Sequence, residues 1–195
     1  FTPLDCRAVF VGLPLSALLV GSIRFRRPNR APWRVQAGGI ALMIGLALVY
    51  TTPWDNYLIS RGVWWYGDSV VTMRVWWMPL GEYLFVVVQS ILVGVWTFQR
   101  NGWVDPTVGH NWRDRAGGTA AGALVALLGV AFLLGPSETF YLGAIFAWAG
   151  PVFALQWGVG WRYLLAVRRR VAVMVAVPVV YLSSIDRVAI EWGLW

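Results

Sequence analysis

Glu82 is the single acidic residue in an apolar stretch that reads P-L-G-E-Y-L-F-V-V-V-Q from Pro79 to Gln89. Placing a carboxylate in hydrocarbon is costly, and burial away from water favours the protonated form of the carboxyl group. A protonated carboxyl group in an apolar site is a proton donor. A helix would present Glu82 and Gln89 on one face, about two turns apart. The ordinary alternative is that Glu82 only supports the first turn of a helix begun by Pro79.

Further polar residues could complete a proton-transfer network around this acid. Asp55 and Asn56 follow one apolar segment, and Asp186 and Arg187 follow another. We expect both pairs to lie in loops, where they either orient the acid or serve as solvated charges or an Asp–Arg pair. Glu138, just before a later apolar segment, is a weaker candidate.

Tryptophans are concentrated in the part of the chain that leads up to Glu82. They include Trp54, Trp64, Trp65, Trp76 and Trp77. Aromatic faces attract cations, so such a cluster could stabilise a carbocation. Tryptophan belts at membrane surfaces are common, and a belt is the more ordinary interpretation of any single one of these residues.

The composition excludes several kinds of site. All 16 basic residues are arginine, so the chain lacks the lysine that a retinal Schiff base requires. The single cysteine, Cys6, cannot form a disulfide or a cysteine-based metal site within one chain. One histidine, His110, with scattered acids does not indicate a metal site, and the sequence has no glycine-rich nucleotide fingerprint. We therefore expect neither a metal nor a cofactor.

The composition is that of an integral membrane protein. Hydrophobic residues make up 58% of the 195 residues. Charged residues make up only 13%, against about 25% in soluble domains. Six apolar segments approach the roughly 20 residues that a bilayer core requires, which predicts an all-α integral membrane protein with six visible transmembrane helices. The segments are Leu4–Ile23, Val35–Thr52, Pro79–Phe98, Ala116–Gly135, Thr139–Trp161 and Val171–Ile185.

Arginines and acids occupy alternate loops. The loops after the first, third and fifth segments hold most arginines, whereas the loops after the second, fourth and sixth hold most acids. This pattern predicts a multi-pass protein of the cell membrane, with its N-terminus outside and its arginine-rich loops in the cytoplasm. The net charge of +7 therefore indicates membrane orientation and not nucleic-acid binding.

The sequence contains an internal similarity. Val49–Trp64 and Val180–Trp195 share six of sixteen residues at a constant offset. We interpret this as a parallel repeat within a single transmembrane domain, with copies at about 4–99 and 136–195 and a connecting helix at about 116–135. The second copy stops where the first enters the helix of Glu82, so we expect a seventh helix beyond it. Chance similarity between loops of like composition is the alternative.

Two motifs identify a family resemblance. P-W-D-N-Y at Pro53–Tyr57, followed by P-x-(E)-E-Y-x-F-x-x-x-Q at Pro79–Gln89, resembles the membrane lycopene cyclases of the heterodimeric bacterial and fused archaeal or fungal type. P-S-E-T-F-Y-L-G, A-L-Q-W and S-I-D-R-V-A-I in the second half are similar to the haloarchaeal branch. The family motif has two adjacent acidic positions, and here Gly81 occupies the first and Glu82 the second.

The resemblance implies a carotenoid cyclase, an intramolecular lyase or isomerase that needs no cofactor. Such an enzyme protonates the terminal double bond of lycopene. The next double bond attacks the tertiary cation, and proton loss closes a β-ionone ring, once at each end for β-carotene. Glu82 would be the acid or one of an acid pair. The supporting catalytic candidates are Asp55, Asn56, Asp186, Arg187 and Glu138. The substrate-binding candidates are Trp54, Trp64, Trp65, Tyr83, Phe85 and Gln89.

The expected partners are the lipophilic substrate lycopene, the lipid bilayer, and either a second copy of the chain or other carotenoid enzymes. Two other functions stay open. One is a cyclase for another carotenoid or ring type, and the other is a non-enzymatic membrane carrier or transporter with a parallel repeat. The acids cluster on one side of the membrane, which favours a one-sided site over a transport path.

Overall fold

Helices account for nearly all of the described chain. A computed structural model of the protein describes residues 12–24, 32–66, 71, 73–100 and 111–191. Two short strands separate the second and third helices, and a 3₁₀ turn at Ser137–Thr139 precedes the fifth. In chain order the elements are α1 (Leu13–Arg24), α2 (Trp33–Ser60), β1 (Arg74–Val75), β2 (Met78–Pro79), α3 (Leu80–Arg100), α4 (Trp112–Leu133), α5 (Phe140–Ala166) and α6 (Arg168–Glu191).

Five helices in the described part of the chain are long and apolar enough to cross a membrane. They correspond to the second through sixth predicted segments, so the prediction of a helical membrane protein is confirmed. Large apolar side chains point outward, and Val49 and Leu127 are 77% and 65% exposed. Such surfaces suit contact with lipid. The predicted first segment begins at Leu4 and lies partly outside the described residues, so the count of six or seven helices and the internal repeat stay predictions.

The second helix extends further than its apolar run. α2 ends at Ser60, not at the predicted Thr52, and therefore contains both Asp55 and Asn56. The prediction that these two residues lie in a loop is wrong. α2 has 28 residues, whereas a bilayer core needs about 20, so its last turns can lie at the membrane surface, where polar side chains reach water without ending the helix.

A glycine ends α2. Gly62 has a φ of +68°, in the left-handed region that favours glycine. The N–H of Gly62 donates to the Ile59 carbonyl at 2.9 Å, and the N–H of Val63 donates to the Leu58 carbonyl at 3.1 Å. This is the Schellman arrangement, which satisfies the last carbonyls of a helix.

The prediction that Asp186 and Arg187 lie in a loop is also wrong. α6 continues to Glu191 and includes Asp186 and Arg187. The Arg187 Nε donates to the Glu191 Oε1 at 3.0 Å, one turn further along the helix. Ion pairs at this spacing support a helix through polar sequence, so charge alone does not mark its end.

The described residues form two compact units. Residues between 12 and 100 together with 172–191 form the first, and residues 111–171 form the second. In the first unit α3 packs on α2 and α1, and the buried core includes Leu58, Met78 and Leu92. Tight packing at Gly94, where an added Cβ would lie 2.7 Å from Ile40 Cγ1, brings α2 and α3 close together.

The second unit is an antiparallel helix pair held together by small residues. A Cβ added at Gly122 of α4 would lie 2.1 Å from the Ala154 nitrogen of α5. One added at Gly129 would lie 2.1 Å from the Ala147 nitrogen. Small residues let helix backbones approach closely in membranes, where association depends on van der Waals packing.

We expect Gly122→Ala to destabilise the second unit by about 1–3 kcal/mol, because the new methyl group would overlap the α5 backbone. Gly117→Ala is the matched control on the same helix, since a Cβ at Gly117 meets nothing within 4 Å. Thermal unfolding in detergent, followed by circular dichroism, measures the difference. Equal melting temperatures for the two variants would contradict the close approach.

Candidate active site

A small hairpin leads directly into α3. β1 and β2 pair antiparallel, and Trp76 and Trp77 form the turn between them. Trp76 has a φ of +58°. The first residue of a tight two-residue hairpin turn requires a positive φ, which residues other than glycine rarely adopt. Both turn tryptophans are exposed, whereas Met78 is fully buried. The hairpin therefore fixes where the chain enters α3.

Asn56 of α2 holds this hairpin. Its Oδ1 accepts hydrogen bonds from the backbone N–H groups of Trp77 at 2.8 Å and Met78 at 3.1 Å. Its Nδ2 donates to the Thr52 carbonyl at 2.8 Å and to the Tyr83 hydroxyl at 3.5 Å. The Tyr83 hydroxyl in turn donates to the Val75 carbonyl at 3.1 Å. One buried amide thus joins α2, the hairpin and the start of α3.

Glu82 lies in the first turn of α3, as predicted, and is half-buried. Its carboxyl group is near enough to that of Asp55 for the two charges to interact. Two such groups repel one another when both are ionised. Asp55 can therefore influence Glu82 through its charge.

A cleft of about 620 Å³ opens beside Glu82. One wall comes from the chain after α2, with Trp64 and Trp65, and another from Phe85 of α3. Asp186 of α6 also lines the cleft, so the carboxyl-bearing residues Glu82 and Asp186 line one cleft within one compact unit. Among the described residues, the lining comprises Val63, Trp64, Trp65, Tyr66, Glu82, Phe85, Asp186 and Ile190.

This lining can perform proton chemistry on an apolar molecule. One carboxyl group can donate a proton and another can accept one. The indole and phenyl faces attract a positive charge that forms between them. Predominantly apolar walls with a few convergent polar groups are typical of small-molecule sites.

The other predicted site residues lie outside the cleft lining. Trp54 packs near Tyr57, with ring centroids 6.3 Å apart. Gln89 is half-buried in α3, two turns beyond Glu82. Arg187 pairs with Glu191. Glu138 is exposed in the 3₁₀ turn of the second unit.

The chain is similar in sequence to known proteins whose names include lycopene cyclase. Over 190 residues the chain is 50% identical to proteins called lycopene beta-cyclase in two strains of Halobacterium salinarum, covering 96% of this chain and 77% of those proteins. The chain belongs to the lycopene beta-cyclase family. It is also 31% identical over 182 residues to a bifunctional lycopene cyclase/phytoene synthase of Arthroderma gypseum, covering 83% of this chain and 30% of that protein. No protein-family model and no solved structure matches the chain.

Three of the residues that line the cleft beside Glu82 were not predicted from the sequence. Val63 and Tyr66 flank the predicted Trp64 and Trp65, and the Tyr66 carbonyl accepts a hydrogen bond from Arg74 at 3.1 Å. Ile190 lies one helical turn after Asp186. That spacing of four residues would have indicated Ile190, had Asp186 been placed on a helix.

The described part of the chain contains no candidate metal site. There, no three His, Cys, Asp or Glu side chains come together as a metal ion requires.

Proposed function

We propose that this chain cyclises the linear ends of lycopene to β-ionone rings. One structural observation carries the proposal: Glu82 and Asp186 line the same cleft as Trp64, Trp65 and Phe85. The relatives named lycopene beta-cyclase support lycopene as the substrate. An apolar polyene that reacts through a carbocation needs an acid, a base and aromatic faces, and this cleft contains each of them.

The first step is proton donation by Glu82. Its carboxyl O–H bond breaks and a C–H bond forms at the terminal double bond of the substrate, which leaves a tertiary cation on the neighbouring carbon. We assign the donor role to Glu82 because it is the less exposed of the two carboxyl groups and starts the helix that resembles the family motif. A positioned general acid contributes about 10²–10⁴-fold to the rate.

Ring closure follows within the substrate. The π electrons of the next double bond form a carbon–carbon bond to the cation, and the positive charge moves to a ring carbon. Trp64, Trp65 and Phe85 line the space where this charge forms. Their faces stabilise a cation without donating electrons to a new bond.

The last step returns a proton. A C–H bond next to the ring cation breaks, its electrons form the ring double bond, and Asp186 accepts the proton. Asp186 is exposed, so the accepted proton can pass to water. One proton enters and one leaves, and the product is an isomer of the substrate.

We also propose that this site lies near the outer surface of the cell membrane, with the arginine-rich loops in the cytoplasm. Asp55, Glu82 and Asp186 all lie near those helix ends that the charge pattern assigns to the outside. Lycopene, itself lipophilic, would reach the cleft from the bilayer. The name of the fungal relative joins cyclase and phytoene synthase, which supports other carotenoid enzymes as partners.

Expression in a host that accumulates lycopene tests the proposal. We expect β-carotene to replace lycopene, since the chain supplies both proton-transfer groups and the host supplies the substrate. Liquid chromatography with absorbance detection separates the linear, monocyclic and bicyclic pigments. Cells carrying the empty vector provide the control. Unchanged lycopene despite folded protein in the membrane would refute the proposed function.

A further inference from the structure

We propose that Asn56 is a positioning residue that holds Glu82 in place against the end of α2. This inference rests on the proposed function and assigns Asn56 no contact with the substrate. Among the described residues, Asn56 is the only polar side chain that is buried, with 6% of its surface exposed. A buried amide requires partners for its hydrogen-bonding atoms, and it constrains the groups that provide them.

The four partners of Asn56 use all the hydrogen-bonding capacity of its side-chain amide. The Nδ2 group has two hydrogens and donates to the Thr52 carbonyl and the Tyr83 hydroxyl. The Oδ1 atom has two lone pairs and accepts from the N–H groups of Trp77 and Met78. No other orientation of the side chain would serve all four partners, so these bonds set the position of the hairpin relative to α2.

These bonds reach Glu82 over a short stretch of backbone. Met78 is followed by Pro79, and α3 begins at Leu80. Glu82 is therefore four residues from Met78, and its neighbour Tyr83 contacts Asn56 directly. On the other side, Asn56 follows Asp55, whose charge interacts with Glu82. The Asn56 amide thus connects the backbone segment that carries Asp55 to the segment that carries Glu82.

Proton donation to a fixed double bond depends on distance and direction. A displacement of 1 Å at a catalytic group can cost about 100-fold in rate. If the amide is lost, the hairpin is no longer held by Asn56, and Glu82 can shift with the start of α3. The cleft walls at Trp64 and Trp65 belong to the chain after α2, and neither residue is a partner in these hydrogen bonds.

Asn56→Leu tests the proposal, because leucine is similar in size and forms none of the four hydrogen bonds. We expect kcat to fall about 100-fold with KM for lycopene unchanged, since substrate binding is retained and proton transfer is misaligned. We also expect faster hydrogen exchange at the Trp77 and Met78 amides. Ser60→Ala is the matched control, because it removes an exposed side-chain hydrogen bond, to the Tyr57 carbonyl, from the same helix end.

Two milder variants keep the test informative if Asn56→Leu folds poorly. Asn56→Asp retains an acceptor for the hairpin amides and should recover part of kcat. Tyr83→Phe removes one partner of Nδ2 and the bond to the Val75 carbonyl, and should lower kcat less than Asn56→Leu. The Glu82→Asp variant provides a further comparison, because its shorter side chain already displaces the carboxyl group. Adding Asn56→Leu to Glu82→Asp should lower kcat by a smaller factor than adding Asn56→Leu to the parent enzyme.

The possible results distinguish the positioning role of Asn56, the acid role of Glu82 and the cyclase function. A normal kcat per folded molecule in Asn56→Leu, or a loss confined to folded yield, would overturn the positioning role. So would an equal loss in the parent and the Glu82→Asp background. Full activity in Glu82→Gln would overturn both this inference and the acid assignment, while leaving the cyclase function intact. Failure of the unmodified chain to form rings would instead refute the proposed function.

Discussion

Glu82→Gln is expected to lower the rate of lycopene cyclisation by about 10²–10⁴-fold, the usual contribution of a general acid. Glutamine has nearly the shape of glutamate and suits the first turn of α3, but its amide cannot release a proton to the double bond. Since Glu82 is half-buried beside Trp64 and Phe85, the substitution removes the acid and leaves the apolar walls in place. Cyclised pigment per amount of folded protein in isolated membranes measures the effect.

Glu138→Gln makes the same chemical change at an exposed carboxyl group in the second compact unit. We expect it to retain nearly full activity, because Glu138 does not line the cleft. The reverse result, with Glu138→Gln inactive and Glu82→Gln active, would contradict the assignment of the chemistry to this cleft. Equal folded yields for both variants would exclude a difference in membrane insertion.

The helices could be predicted from hydrophobicity, whereas their ends could not. A run of 20 apolar residues has few alternatives to a helix in a bilayer, because each backbone N–H and C=O must be paired internally. The end of α2 depends instead on Gly62, whose left-handed conformation permits the final hydrogen bonds. The R-G-V sequence contains this signal, but the polar residues from Asp55 onward resembled the start of a loop.

The site was predictable where its residues are neighbours in the chain or belong to a motif. Glu82, Phe85, Trp64 and Trp65 lie near one another in sequence and meet in the cleft. Asp186 is distant in sequence, and it was indicated by its position after an apolar segment and by the S-I-D-R-V-A-I motif. The hydrogen bonds of Asn56 were not predictable, because they depend on the register of a hairpin for which the sequence has no strong signal.

Asp186→Asn is expected to lower the rate of cyclisation by about 10²-fold or more, the lower limit for loss of a general base. Asparagine fills the same space on α6 but cannot accept the final proton. The ring cation would then survive longer between Trp64, Trp65 and Phe85 and lose a proton from another carbon. We therefore expect a change in product as well as in rate, which the loss of Glu82 would not produce.

The two products differ in absorbance. A β-ionone ring keeps its double bond in conjugation with the polyene, whereas a ring whose double bond has moved away absorbs at shorter wavelength. Chromatography of the residual pigment from Asp186→Asn would measure this ratio. Glu191→Gln is the matched control, because it changes an exposed carboxyl group on the same helix that pairs with Arg187. An unchanged rate and ring ratio in Asp186→Asn would show that another group accepts the proton, since the position of the ring double bond depends on the base that removes it.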